Sequence, residues 1–350
     1  MMAEKTPFLS KLATCLAAMA ITVAANQAMA QNTVPAKQLF GGKALPSAAN
    51  AQVHGFYSKG CLSGGIAIAT DGPHWQAMRL SRNRRWGHPK LIATIEKLSV
   101  EAARYDGWPG LLVGDLSQPR GGPMLTGHRS HQLGLDADIW LTPMPKRRFT
   151  ASERETTSAI SVLKAQSVVT NPRVWTEAHG RLIMRAAGYP EVQRIFVHPG
   201  IKKKLCETWK GDRSKLNKVR PYYGHHYHMH IRLNCPKDSA NCKAQKAVPA
   251  DSGCGSQLDW WFDVALKPKK PPKKTRKPPR TAKKKREIML GDLPAACAVV
   301  LNSAGPASEE VVTHRAASST RTAFAPLKPG KASFSMPALV PIPKPRPFVQ

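Results

Sequence analysis

The sequence predicts an α+β fold: one domain with a small antiparallel sheet, flanked by helices and loops and followed by a basic, Pro-rich tail. Three observations predict it. Segments with apolar residues at helical spacing and segments with alternating apolar residues share one region, 53–264. They follow one another without the strict strand–helix–strand order of a parallel sheet. That region is also long enough to bury a substantial core.

Residues 1–30 read as an export signal. Lys5 and Lys11 precede an apolar run over 12–25, and Ala28-Met29-Ala30 forms an A-x-A cleavage site. The run is too short to span a membrane, so no transmembrane segment is expected once the signal is removed, and the mature chain is expected in the periplasm. Cys15 after Leu12-Ala13-Thr14 is a loose lipoprotein box that Thr14 fits poorly. Residues 31–52 are weakly patterned and read as an extended N-terminal arm.

"HPKLIATIEKLSVEAARY" places Leu91, Ile92, Ile95, Leu98 and Ala102 on one helical stripe, with Pro89 suited to the first turn. "LLVGDLS" reads as a strand. So does "GLDADIWLT", which alternates Leu135, Ala137, Ile139 and Leu141 against Asp136, Asp138 and Trp140. "TASERETTSAISVLKAQ" opens with Thr150 and Glu153 at capping-box spacing and reads as a helix. "WTEAHGRLIMRAAGY" is a helix ending near Gly188, "VQRIFVHP" a strand stopped by Pro199, and "HYHMHIRLNC" a strand of unusual polarity.

Residues 265–290 form a polybasic loop with twelve Lys/Arg and five Pro between 267 and 286, a composition that cannot bury a core. An apolar patch over 291–303 brings Cys297, and 304–350 reads as a disordered tail. Without Cys15, six cysteines remain in an exported chain. That count argues for three disulfides among fifteen possible pairings, and no C-x-x-C pair suggests a zinc ribbon. The net charge is +31, of which residues 265–350 contribute +14. Such a chain is attracted to polyanions, and for an exported protein these are anionic envelope polymers, reached through 267–286, rather than nucleic acid.

Six of the twelve histidines fall in two windows, "GHRSHQLGLDAD" over 127–138 and "GHHYHMHIRL" over 224–233. A hydrolytic zinc site needs three His or carboxylate ligands and one open position. On a strand, residues two apart share a face, so His226, His228, His230 and Arg232 face one way and Ile231 and Leu233 the other. A tract of four histidines can also be a nonspecific metal sequestrant. His54, His74, His88, His179, His198 and His314 lie singly at loops and element ends and read as solvated.

The stretch "HQLGLDAD" resembles the H-x-x-G-x-x-x-D motif of the lysostaphin-type and D-Ala-D-Ala metallopeptidases, and "HMH" resembles their closing H-x-H. The contexts "YSKGC", "RNRRWGHP", "GDLSQPRGG", "RIFVHPGIKKKLC", "KVRPYYGHHYHMHIRLNCP" and "DSGCG" are similar to the penicillin-insensitive murein endopeptidases, the MepA family. The resemblance spans 57–255. It implies Zn2+ held by His131, Asp138 and His230, with His228 as general base or transition-state stabiliser. It makes His225 a further active-site residue and places His128 at the metal. It also implies the pairings Cys61–Cys297, Cys206–Cys254 and Cys235–Cys242. Asp136 shares the face of Asp138 but misses the motif spacing, which suits a residue behind the ligands.

Some relatives bind a second metal through an Asp and a His between the windows. Residues 139–178 contain neither, which argues against a second site. The implied reaction is cleavage of D-alanyl–meso-diaminopimelyl cross-links in peptidoglycan. It would escape penicillin because no serine nucleophile is needed. His225 has the wrong strand parity unless regular strand begins after it, and His226 has the right parity but can point past the metal. Arg232 or Tyr223 could contact substrate. The rival readings are a D,D- or L,D-carboxypeptidase or dipeptidase on the same scaffold, and a noncatalytic wall-binding or nucleic-acid-binding protein driven by its basic segment.

Overall fold

The computed structural model describes residues 33–267 and 286–314. The export signal, residues 268–285 of the polybasic loop and the tail beyond 314 lie outside the described residues. The described part opens with α1 (Ala36–Gly41), the hairpin β1 (Gln52–Phe56) and β2 (Lys59–Ser63), and the short strands β3 (Ile66–Ile68), β4 (Asp71–Gly72), β5 (Trp75–Ala77) and β6 (Trp86–Gly87). Then come α2 (Pro89–Tyr105), β7 (Leu111–Val113), β8 (Asp136–Trp140), α3 (Ala151–Thr156), α4 (Glu177–Gly188), β9 (Val192–Val197), α5 (Pro199–Thr208) and β10 (Val219–Pro221). The chain continues through β11 (His228–Leu233), α6 (Ser256–Trp260), α7 (Ala296–Asn302) and β12 (Thr313–His314).

The main sheet has the order β10-β9-β11-β8-β7-β5-β4. Its centre, β9-β11-β8-β7, is antiparallel, while β10 joins β9 and β5 joins β7 in parallel. The fold is α+β as expected, with a wider sheet whose antiparallel part carries the site. Helix α2 starts where the sequence places it: the His88 ring accepts from the Lys90 amide (3.2 Å) and Pro89 fills the first turn. Its stripe of Leu91, Ile92, Ile95, Leu98 and Ala102 is buried in the main core beside Leu182, Ile183 and Ala186 of α4.

Several expectations are corrected. The 31–52 arm is not simply extended, because α1 buries Ala36 and Phe40 against Cys61, Cys297 and Leu301 in a second small core. The helix opened by the Thr150 capping box stops at Thr156 instead of running on to Gln166. The chain then turns irregularly, and Val162 and Leu163 reach the core from a loop. Helix α5, after the Pro199 that ends the preceding strand, was not anticipated. Of the expected disordered tail, the described residues 304–314 are packed at their end, where β12 pairs in parallel with β3 and His314 meets Glu96 at 2.9 Å.

Nor are most of the single histidines solvated. His54, His88, His179 and His198 are buried. His88 and His198 accept from backbone amides at helix starts, and His179 bonds both Thr176 and the Leu141 carbonyl. The three disulfides are Cys61–Cys297, Cys206–Cys254 and Cys235–Cys242, the pairs the resemblance implied.

Candidate metal centre

Strands β8 and β11 are neighbours, and their register sets His228 opposite Trp140, His230 opposite Asp138 and Arg232 opposite Asp136. Residues directly opposite share a face, so period-two alternation gathers these six side chains on one side of the sheet. Met229, Ile231, Ala137 and Ile139 take the other side and enter the main core. The polar face is covered too: Asp136, Asp138, His228 and His230 are all buried.

His131 comes from the loop before β8, with its backbone in the left-handed region (φ 68°). The motif glycine, Gly134, is also left-handed (φ 65°), and a Cβ there would lie 3.0 Å from the His88 amide nitrogen. Only glycine meets both demands at no steric cost. The fully buried His131 ring places Nδ1 2.6 Å from the Leu116 carbonyl oxygen. A carbonyl can only accept, so Nδ1 carries the proton and Nε2 presents a lone pair to the site. His230 is turned the other way. Its Nε2 donates to Asp136 Oδ1 at 2.8 Å, which leaves Nδ1 as the lone-pair atom.

These two free nitrogens and Asp138 Oδ1 form a small triangle. His131 Nε2 lies 3.3 Å from His230 Nδ1 and 3.5 Å from Asp138 Oδ1, and His230 Nδ1 lies 3.3 Å from the same oxygen. Tetrahedral ligands about 2.0–2.1 Å from a zinc ion stand about 3.3–3.4 Å apart, so the three atoms are spaced as one face of such a site. Asp138 Oδ1 is buried and has no hydrogen-bond partner among the described residues, the state of a carboxylate that meets a cation instead. Burial opposes ionisation of Asp138, yet the surrounding histidines hold its carboxyl well below the usual carboxylate range. Burial lowers the pKa of His230 and His228, whereas His131 is raised because Asp138, Asp136 and Asp115 together outweigh its burial. The cluster thus calls for positive charge, and two imidazoles with a carboxylate suit a divalent ion such as zinc.

Asp136 stands behind the triangle, as its spacing suggested. It accepts from His230 Nε2, from Arg232 Nε at 2.6 Å and from the His131 amide at 3.2 Å. Arg232 is buried, paired with Asp136, and stacked 4.3 Å over the Tyr57 ring. His128 is partly exposed. Its Nδ1 lies 3.5 Å from Asp138 Oδ2 and its Nε2 3.1 Å from Asp115 Oδ2. Ligand atoms of His128, His131 and Asp138 all lie within 4.8 Å of one another, a second metal-capable grouping that shares two members with the first.

Asp115 was missed at the level of sequence, since no motif spacing links it to either window. Burial disfavours its charge, but His128, Arg84 and Arg82 hold its carboxyl down at about 2.

His228 Nε2 lies 3.6 Å from Asp138 Oδ1, and its Nδ1 is buried without a partner among the described residues. Regular strand begins only at His228, after Gly224 and His225 in left-handed conformations, which meets the condition for His225 to reach the site. The His225 ring comes within 4.8 Å of His228, and its Nδ1 donates to the Tyr223 carbonyl at 2.6 Å. His226 points away, toward His198. Tyr223 is exposed and packs on Trp261. Cavities of about 280 and about 480 Å³ open on either side of His128.

Comparison with known proteins gives the chain a family. A family model described as penicillin-insensitive murein endopeptidase matches residues 53–302, a span that takes in the polybasic loop and α7. The penicillin-insensitive murein endopeptidase of Haemophilus influenzae is 46% identical over 210 residues, covering 60% of this chain and 72% of that protein. The protein of that name from Pectobacterium atrosepticum is 39% identical over 255 residues, covering 73% and 90%. One from Escherichia coli is 40% identical over 232 residues, covering 66% and 84%. With more than two thirds of the chain inside the matched span and a buried histidine–carboxylate cluster at its centre, the chain belongs to the penicillin-insensitive murein endopeptidases, a family of metallopeptidases.

Proposed function

We propose that the protein is a periplasmic zinc endopeptidase that hydrolyses D-alanyl–meso-diaminopimelyl cross-links in peptidoglycan, with His131, Asp138 and His230 as metal ligands. The observation that carries the ligand set is the triangle of His131 Nε2, His230 Nδ1 and Asp138 Oδ1, closed to 3.3–3.5 Å and including a buried oxygen with no hydrogen bond among the described residues. His128, which groups with His131 and Asp138, stands as a further candidate at the metal, with its contact running to the other oxygen of Asp138. Zinc bound there would act as a Lewis acid on the scissile carbonyl and lower the pKa of a water.

The chain's own residues do the rest. Burial keeps His228 neutral, so a ring nitrogen can take the water's proton and hand it to the leaving amine. His225 carries its proton on Nδ1, toward Tyr223, which leaves Nε2 as the lone-pair atom of a ring whose centroid lies 4.8 Å from that of His228. Asp136 and the Leu116 carbonyl fix the tautomers of His230 and His131 and so hold their lone pairs in place.

The test is digestion of purified cross-linked muropeptide dimers, followed by mass spectrometry, with and without a chelator. Dimers should fall to monomers only in the metal-loaded enzyme. His131→Ala should lose both metal and activity. His228→Ala should keep the metal while turnover drops by about 10²–10⁴-fold. Chelator-resistant cleavage would sink the reading, and trimming of monomeric pentapeptides in preference to dimers would favour the carboxypeptidase alternative.

A further inference from the structure

The smaller cavity beside the metal cluster differs from its neighbour in one respect: two arginines stand on a strained turn at its wall. Arg79 and Asn83 are both left-handed (φ 57° and 51°) and bracket a single 3-10 turn, Leu80–Arg82. Non-glycine residues hold such angles only when their surroundings impose them, and such strain concentrates at functional sites. Here the surroundings are explicit. Ser81 donates its amide and its hydroxyl to the two oxygens of Glu155, at 3.0 and 2.7 Å. Asn83 accepts from the Trp86 indole at 2.6 Å and donates to the Ala44 carbonyl at 3.0 Å. The Arg79 amide reaches the Arg154 carbonyl at 3.1 Å.

The turn so fixed aims both guanidinium groups at the cavity, whose lining also includes Asp138, His128, Trp140 and His228. Arg79 lies 5.8 Å over the Trp140 ring and gives one donor to the Thr157 carbonyl at 2.9 Å. Arg82 gives one donor to Asp115 at 3.1 Å, and its side chain remains 47% exposed. Five donors in a planar fork are not saturated by one contact. The anions on this wall are accounted for: Asp138 faces the metal cluster, and Asp115 is already shared among Arg82, Arg84 and His128. A second anion can therefore enter without facing an unpaired carboxylate.

We propose that Arg79 and Arg82 form a carboxylate-binding subsite that reads the free carboxylate on the leaving-amine side of the scissile bond. This rests on the murein reading above and orients the substrate within it. In the diaminopimelyl cross-link, the nitrogen that departs is attached to a carbon that also bears a carboxylate. That group must lie within a few bonds of the metal cluster when the bond is cut. A planar arginine fork is the side chain that pairs best with a carboxylate. The larger cavity, with Phe56, Phe196 and Tyr222, is left for the acyl-donor stem. Its Arg232 is already committed to Asp136 and Gln245, and Arg129 is an exposed arginine at its edge.

The experiment compares kcat/KM on two synthetic muropeptide dimers, one with the leaving-side carboxylate free and one with it converted to the carboxamide. The wild type should prefer the carboxylate by about 10- to 100-fold, the worth of a charge-assisted pair. Arg79→Gln and Arg82→Gln should each collapse that preference toward unity, while Arg129→Gln should keep it. Zinc content is measured alongside, because Arg82 also touches Asp115. Arg79 does not, so its variant reports on the subsite alone. An undiminished preference in both variants, or its loss in Arg129→Gln instead, would overturn the subsite. Failure of the wild type to cleave either dimer in a chelator-sensitive way would overturn the murein reading, and the subsite with it.

Discussion

Asp136 has no place in the ligand triangle, yet it decides what two ligands can do. It receives the Nε2 proton of His230 and the amide of His131, and Arg232 in turn neutralises it. Replacing it with Asn keeps the shape but removes the charge that holds His230 in the right tautomer. Asp136→Asn should weaken zinc binding by about 10- to 100-fold, a loss typical of such outer partners. Competition with a fluorescent chelator measures this, and unchanged affinity would show that His230 is oriented by packing alone. The proposed ligand residues are visible in the sequence because a motif spacing points at all three, and strand parity also points at Asp138 and His230. Asp115 and the true partner of Arg232 are not, because those relations run across strands and loops. Nothing in the sequence pairs Arg232 with Asp136; the register of β8 and β11 does.

At the scale of elements, the sequence served best where apolar residues carry the pattern. Helices α2 and α4 follow their stripes, and β8 and β11 follow their alternation. Helix α5 was hidden because "GIKKKLC" reads as a solvated basic run, whereas Lys202 is fully buried. Its ammonium donates to the carbonyls of Leu216 (2.7 Å) and Ser252 (2.6 Å), with no carboxylate in hydrogen-bond contact among the described residues. Burial, with Arg220 and Arg213 nearby, pushes the Lys202 pKa down to about 7. The folded protein therefore releases this proton above about pH 7, while the unfolded chain keeps it to near the ordinary lysine value. Between those limits the unfolded state binds more protons, so stability rises with pH. Compared with Lys202→Met, whose two abandoned carbonyls cost the same at every pH, the wild type should gain stability from pH 7 to pH 10. Urea titrations of the pair check this, and a pH-independent gap between them would mean that Lys202 stays charged in place.

Across the whole molecule, distant parts of the chain close on the loop that delivers His131. Arg120 is buried, with no carboxylate partner among the described residues. Its guanidinium donates to the carbonyls of Val300, Leu301 and Ser303 at 2.7–2.8 Å, and to Leu45 and Pro46 of the N-terminal segment at 3.1 and 3.4 Å. A cation at the C-terminal end of α7 is well placed for the helix's unpaired carbonyls. The Cys61–Cys297 bond anchors the same helix to β2, whose Leu62 amide donates to the Arg120 carbonyl. Gly122 then bonds back to Gln132, next to His131.

Arg120→Met should cost about 2–4 kcal/mol, since it leaves several buried carbonyls without a donor. While the disulfide is intact, the defect should stay local, seen as faster proteolysis within 286–314 with zinc retained. In a Cys61→Ser, Cys297→Ser background the tether is gone, and both restraints act on one helix. Their losses in a urea double-mutant cycle should then be coupled by more than about 0.5 kcal/mol, with zinc bound less tightly in the combined variant. Strict additivity would show instead that α7 docks through the apolar contacts of Val300 and Leu301 alone, and that the C-terminal segment has no hold on the metal site.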